Sequence, residues 1–421
     1  MNFAHTYFSR FHTFGQYIST PPSPDAHIIV VIPCFSEPDI IDTLTSLQSC
    51  NKPDCDVEIL VVVNFSETAP EADKQYNADT YKCIQTYSTK HSTKKHTIHP
   101  IYAPNAPKKH AGVGWARKVG MDEAVRRFDT LNNAQGIIVA CDADTGVAPN
   151  YFTEIERFYA THPAHNVAHI YFEHPLSGEL DDTTYTAIAQ YELHLRLYVE
   201  ALHYIKFPYP YHTVGSCMTV RALSYCKHGG MNKRQAGEDF YFLQKLYQAE
   251  HVGEITGTTV FPSARISHRV PFGTGHAMTQ MISSSHPVYY SYHPKSYTVL
   301  HSFFSVIPTL HSAETEEIKH IFSNLHPSVQ TYIGEQQFIT KTQEIQSHSS
   351  SQHAFIQRFF QWTNAFFIFR FLNESHKTYF TKIPIHTAAT LFLHTPENYS
   401  IIELLTLLRR KQQSNHRSSL S

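Results

Sequence analysis

The 421 residues suffice for one large domain with an appendage, or for two domains. Lysine plus arginine (34) nearly balances aspartate plus glutamate (36), so bulk charge recruits neither nucleic acid nor an anionic membrane. Seven scattered cysteines without a C-x-x-C pair read as reduced thiols of a cytoplasmic protein, the thirty histidines show no zinc-protease pattern, and no apolar run is long enough to span a bilayer.

Residues 1 to 26 form an aromatic, proline-ended lead-in. His27 to Ile32 predicts a strand broken by Pro33. In PCFSEPDIIDTLTSLQSC, Ser36 and Asp39 have capping-box spacing, and Ile40, Ile41, Leu44 and Leu47 recur at helical spacing. Val57 to Val63 predicts a second buried strand ending at Asn64, residues 65 to 95 are polar without a clear pattern, and Ile98 to Ala103 suits a third strand. Lys108 to Phe128 opens with two lysines and Gly112-x-Gly114, then reads as a helix. Free N–H groups, Lys108, Lys109 and Arg117 suit that start to an anion; the plain alternative is a turn before a basic amphipathic helix.

The run GIIVACDADTGVAP, Gly136 to Pro149, is the centre of the chain. Ile137 to Cys141 reads as a strand buried on both faces, ending in Asp142 and Asp144. Ligands of open α/β sheets sit outside the carboxyl ends of strands, and two acids at i and i+2 suit a hard divalent cation that also carries phosphate oxygens. A solvated acidic turn is the alternative.

Beyond it follow a helix over Pro149 to Tyr159, a strand over Asn166 to Phe172 and a long helix over 180 to 205. In KFPYPYHTVGSCM, Phe207, Tyr209 and Tyr211 suit either stacking on a sugar or packing within a structural loop. A short strand ends near Val220, Gly229-Gly230 marks a turn, and Glu238-Asp239 begins a helix, where acids are ordinarily dipole partners. From residue 276 long amphipathic segments replace the strand signals. Because Arg358 and Arg370 interrupt AFIQRFFQWTNAFFIFRFL, a helix packed on the catalytic domain is expected, with a peripheral membrane contact as the alternative. KQQSNHRSSLS is expected to be unstructured.

Taken in order, VVIPCFSEPDII, AGVGWARKVGMDEA, CDADT and GSCMTVRALSYCKHGGMNKRQAGEDFYFLQKL resemble the successive motifs of glycosyltransferase family 2 over roughly residues 27 to 265. The resemblance implies an α/β fold of the GT-A type: a Rossmann-like, mostly parallel central sheet flanked by helices, over residues 1–275. A mainly helical C-terminal region, 276–410, and a disordered tail, 411–421, complete the expected organisation. Two departures stand out: Ser36 replaces the family's usual Asn, and Asn64 and Ser66 stand where an Asp pair is frequent.

The implied activity is metal-dependent, non-processive transfer of a sugar from a nucleotide-diphosphate donor to a carbohydrate, lipid-linked or small-molecule hydroxyl, with inversion. The membrane-embedded synthases' Q-x-x-R-W signature is absent. The resemblance places Pro33, Glu37 and Asn64 around the nucleotide. It places Lys108, Gly114, Arg117 and Arg265 or Arg269 toward the diphosphate. Asp142 would lie near ribose and metal, and Asp144 and His268 on a Mn²⁺ or Mg²⁺ ion, with 273–275 as a hinge. Asp239 would be the general base and Glu238 its reserve. A nucleotidyltransferase would carry a Gly-rich, Lys-bearing loop after the first strand, which PCFSEP lacks; a non-catalytic nucleotide- or sugar-binding protein is the other alternative.

Overall fold

A computed structural model describes residues 2–11, 14–235, 237–266, 274–283 and 287–414. The chain divides into two compact units, one of residues 1–188, 213–280 and 410–421, the other of 189–212 and 281–409.

The first unit opens with α1 (His5–Arg10), β1 (Ala26–Cys34), α2 (Ile40–Gln48), β2 (Asp56–Ser66), α3 (Glu71–His91), β3 (His96–Ala106) and α4 (Val113–Thr130). It continues with β4 (Ile137–Ala140), β5 (Gly146–Val147), α5 (Tyr151–Thr161), β6 (Val167–Phe172) and the start of α6 (Asp182–Tyr204). After residue 212 come β7 (Met218–Arg221), α7 (Ala222–Lys227), α8 (Glu238–Tyr247), β8 (Val252–Phe261) and α9 (Thr274–Ile282). The strands form one mixed sheet in the order β3-β2-β1-β4-β7-β6-β8-β5. Its first four strands are parallel, as is the β6–β8 pair, while β7 runs against both neighbours and β5 against β8. The α/β class and helix-flanked sheet are those the resemblance implies.

Sheet position explains the composition of the strands. Ile28 to Ile32 and Ile137 to Ala140 are wholly buried, as befits central strands covered on both faces. Full burial of each large aliphatic side chain is worth about 1.5–3 kcal/mol. In the parallel register Val31 is level with Ala140, and Pro33 with Val62. Continued along the strands, that register brings Pro33, Asn64 and Asp142 to nearly the same height at the carboxyl edge.

Helix α4 is buried on almost every side, so its charges require partners. Lys118 pairs with Asp122, which also accepts from the Tyr7 and Tyr225 hydroxyls at 2.6 and 2.9 Å. Glu123 accepts the Tyr17 and Ile18 amides, and Arg127 binds Glu58 and the Thr20 carbonyl. The aromatic lead-in is thus strapped along α4. Gly120 meets the sheet directly: a Cβ there would lie 2.4 Å from Val31 Cγ1 and 2.9 Å from Val62 Cγ2.

Two local expectations are corrected. The capping box at Ser36 does not form: Ser36 is left-handed (φ 46°), its amide donates to Asn77 Oδ1 at 2.9 Å, and Asn77 Nδ2 donates to its hydroxyl at 3.1 Å. Buried Asn77 offers the loop a better partner than the helix start does, and α2 begins beyond it with no side-chain cap. Residues 65 to 95, without a readable pattern, contain the 21-residue α3, which buries few of its side chains.

The second unit holds the rest of α6, the two-stranded pair β9 (Tyr290–Ser291) and β10 (Ile383–Pro384), and a stack of helices. These are α10 (Pro294–Ser305), α11 (Thr315–Ser323), α12 (Pro327–Ile333), α13 (Glu335–Ser347), α14 (Gln352–Trp362), α15 (Ala365–Thr378), α16 (Ile385–Leu393) and the greater part of α17 (Ile401–Ser414). The aromatic run is broken at Asn364, which caps α15 by accepting the Phe366 and Phe367 amides. Phe303, Phe338, Phe355, Phe359 and Phe371 fill the core, and a fully buried Glu192 accepts from Arg196 and Arg409 at 2.7 Å each. Phe207 is buried against Phe360, so its ring is a core residue. Helix α17 runs into the stretch expected to be unstructured, through Ser414, and residues 415–421 lie outside those described. No described helix is long and apolar enough to cross a membrane, and no disulfide links the cysteines.

The Gly120 contact leads to a test. Gly120→Val should lower stability by about 1–3 kcal/mol through overpacking, read as a lower urea midpoint with an unchanged slope. An unchanged midpoint would contradict the close approach of α4 to β1 and β2.

Candidate active site

Strand β4 ends under Asp142, and backbone pairing carries on past it, with the Cys141 amide donating to the Val31 carbonyl at 3.1 Å. The acidic turn is fixed from α2: Thr43 Oγ1 donates to the Ala143 carbonyl at 2.9 Å, and the Val147 amide donates to Ser46 Oγ at 3.0 Å. Ala143 is buried, so Asp142 and Asp144 flank an anchored residue and are part-exposed, with side chains 38% and 24% accessible.

On one side stands Arg117, in the first turns of α4 and 3% exposed. Its Nη2 donates to Asp142 Oδ1 at 2.5 Å, and its Nη1 donates to Glu238 Oε1. Burial opposes the charge of this guanidinium, yet Asp142, Glu238 and Asp239 together raise its proton affinity above the ordinary value. Burial in turn pushes the Glu238 carboxyl above the usual range against the pull of Arg117, and the Asp239 carboxyl is raised for the same reason. Asp239 lies next to Glu238 in the first turn of α8, and its Oδ1 accepts the Phe240 amide at 2.7 Å. Gly237 starts this turn in the left-handed region (φ 69°), a conformation suited to glycine.

The glycines around Arg117 have a packing reason. A Cβ on Gly215 would lie 2.4 Å from Arg117 Nη1, and one on Gly114 would lie 2.3 Å from the Arg234 carbonyl and 2.9 Å from Glu238 Cβ. A Cβ on Gly112 would meet the Gln235 backbone at 2.8 Å. The Gly-x-Gly that opens α4 therefore lets the segment before α8 lie against the helix start. Lys108 is exposed; its amide donates to Glu67 at 3.2 Å and its carbonyl accepts from Gln235 Nε2 at 2.8 Å.

On the other side stands Arg265, beyond the end of β8. Its Nη2 donates to both oxygens of Glu37 at 2.6 Å and to Asp144 Oδ2 at 3.3 Å, and Nη1 lies 3.2 Å from Asp39 Oδ2. Glu37 is buried and also accepts the Asp39 amide at 3.1 Å. Asn64 is buried and Pro33 half-buried at their strand ends.

The structure thus gathers Asp142, Arg117, Glu238 and Asp239 on one side of Ala143, and Asp144, Glu37 and Arg265 on the other. His268 and Arg269 lie outside the described residues. Sequence reasoning did not find Gly215, Thr43 or Asn77, which carry no motif and act through partners far along the chain. The oxygens of Asp142 and Asp144 suit Mg²⁺ or Mn²⁺ in kind. Among the described residues, however, no group of three or more His, Cys, Asp or Glu side chains converges as a metal site.

A buried charge network of this kind gives a stability test. Arg117→Met should cost about 3–5 kcal/mol at pH 8, because it leaves clustered carboxylates without their counter-charge. The loss should shrink at pH 5: the native carboxyls, raised further without Arg117, then hold protons that the unfolded chain holds less tightly, so stability rises as pH falls. Equal losses in urea unfolding at the two pH values would contradict the network.

Residues 137–283 match the family model described as Glycosyl transferase family group 2. No curated protein sequence matches the chain. Among solved structures, residues 1–349 of TarS from S. aureus in complex with UDP-GlcNAc align at 14% identity and a TM-score of 0.39, covering 83% of this chain and 91% of that one. The mannosyltransferase PcManGT from Pyrobaculum calidifontis, in complex with GDP-Man and Mn²⁺, aligns at 12% identity and a TM-score of 0.36, covering 93% and 92%. Both superpositions are loose. The family match begins at β4 and takes in both the acidic turn and the Glu-Asp start of α8. Residues 137–283 are thus similar to glycosyl transferase family group 2, and this match supports a glycosyltransferase.

Proposed function

We propose that the protein transfers a sugar from a nucleotide-diphosphate donor to an acceptor hydroxyl, with inversion and one sugar per encounter. The observation behind this reading is the shared guanidinium of Arg117, which ties the tip of β4 to the start of α8. A carboxylate suited to a cation and one suited to a proton thereby lie on one sheet edge.

The nucleoside is assigned to the ends of β1 and β2, around Pro33, Glu37 and Asn64. Lys108 and Arg269 are the candidates for phosphate contact. Asp142 and Asp144 would hold a divalent cation, which when bound offsets the charge growing on the departing diphosphate. Arg117 is a positioning residue in this scheme: buried and already engaged by carboxylates, it fixes Asp142 and Glu238 and leaves the phosphates to other groups.

Asp239 is assigned the base. As the acceptor oxygen forms its bond to the anomeric carbon, the bond from that carbon to the phosphate oxygen breaks, the electron pair leaves with the diphosphate, and the hydroxyl proton passes to Asp239. Enclosure raises the Asp239 carboxyl and Asp142 adds to the rise, both of which make it a stronger proton acceptor than a solvated carboxylate. Glu238 is buried against Arg117 and serves to orient its neighbour.

The test is Asp239→Asn with a panel of nucleotide sugars and acceptors. Transfer should fall by about 100- to 10,000-fold while donor affinity stays the same. A retained rate would remove Asp239 from the chemistry. Donor binding without transfer or hydrolysis by the wild-type protein would favour a binding function.

A further inference from the structure

The two arginines of the site are held differently. Arg117 is sealed in, 3% exposed, with its shortest contacts to Asp142 and Glu238. Arg265 is 23% exposed, and its contacts are unequal: 2.6 Å to each oxygen of Glu37, but 3.3 Å to Asp144 and 3.2 Å to Asp39. Glu37 is 1% exposed at its side chain, so the pair with Arg265 is costly to break. Asp144 is 24% exposed, and water can replace the longer contact there. Arg265 is therefore anchored at Glu37 and only leaning on Asp144.

This arrangement bears on the cation assigned to Asp142 and Asp144 under the proposed function, on which the inference rests. We infer that Arg265 is a built-in competitor for that cation: without donor its guanidinium neutralises Asp144, and a divalent ion takes that carboxylate only when Arg265 gives it up. A guanidinium 3.3 Å from Asp144 Oδ2 and a metal ion on the same oxygen repel each other at short range, so the two states exclude one another. Because Arg265 keeps Glu37 in either state, the exchange sacrifices only the long contacts. Apparent cation affinity without donor is reduced by the fraction of molecules in which Arg265 covers Asp144. Donor phosphates add ligands and negative charge beside the ion and move the balance toward the cation, so cation and donor bind cooperatively.

The test needs no turnover. Mn²⁺ is titrated by calorimetry into the full-length donor-free wild-type protein, Arg265→Ala, Asp144→Asn and the double variant. Arg265→Gln serves as a second variant, and all are checked by thermal melting. Loss of Arg265 should tighten Mn²⁺ binding by about tenfold or more, and the gain should vanish when Asp144 is Asn. Binding that is unchanged or weaker in Arg265→Ala and Arg265→Gln overturns the inference, as does a gain that persists without Asp144, which would be a general field effect. Transfer by the wild-type protein is assayed separately. Transfer with no effect of Arg265 on Mn²⁺ sinks the inference alone, whereas absence of transfer and of nucleotide-sugar binding sinks the functional reading whatever the titration gives.

Discussion

The site depends on one constraint: the charge of a guanidinium buried among carboxylates must be paired, here through both Nη atoms. Arg117 cannot be solvated, so Asp142 and Glu238 are drawn onto it, and with them the end of β4 and the start of α8. Gly215 and Gly114 make room for that meeting, since a side chain at either would occupy space taken by Arg117 or by the backbone before α8. Such a network is a poor source of net stability, because desolvation offsets most of the attraction. It is a good source of position. Few other arrangements of these loops satisfy all of its charges.

The same logic extends along α4. A helix buried nearly all round yet carrying Lys118, Asp122, Glu123 and Arg127 finds partners for these charges within its own turns, in α7, in the N-terminal strap and in β2. Tyr7 gives its hydroxyl to Asp122, and Glu58 meets Arg127. The strap therefore does more than cover apolar surface. It completes the charge pairing of the helix whose first turns position Arg117, which links the chain's first residues to the geometry of its acids.

Much of this was legible in the sequence where the signal is local. Continuous apolar runs announced β1, β2, β4 and β6, and the order of the motifs announced the family. Strand β8, VGEITGTTVF, went unread because glycines and polar residues interrupt its pattern, and α3 because it buries little beyond Asn77, Thr80 and Ile84. Ser36 looked like a cap because Asp39 stands at the right spacing; Asn77, distant in sequence, outcompetes it. The Gly112-x-Gly114 pair suggests an anion site on the same grounds, while the close approach of residues 234 and 235 is invisible until the chain is folded. The sequence offers Arg265 and Arg269 alike to the phosphates, and nothing in the neighbourhood of Arg265 foretells that it bridges Glu37 and Asp144.

The central claim is that the tip of β4 and the start of α8 serve one ligand. A crystal structure of the protein with a nucleoside diphosphate and Mn²⁺ tests it most directly. The account predicts the diphosphate and ion at Asp144, with Asp239 facing the space beyond the terminal phosphate. A nucleotide bound elsewhere, or bound with Asp239 turned away from it, would contradict the account.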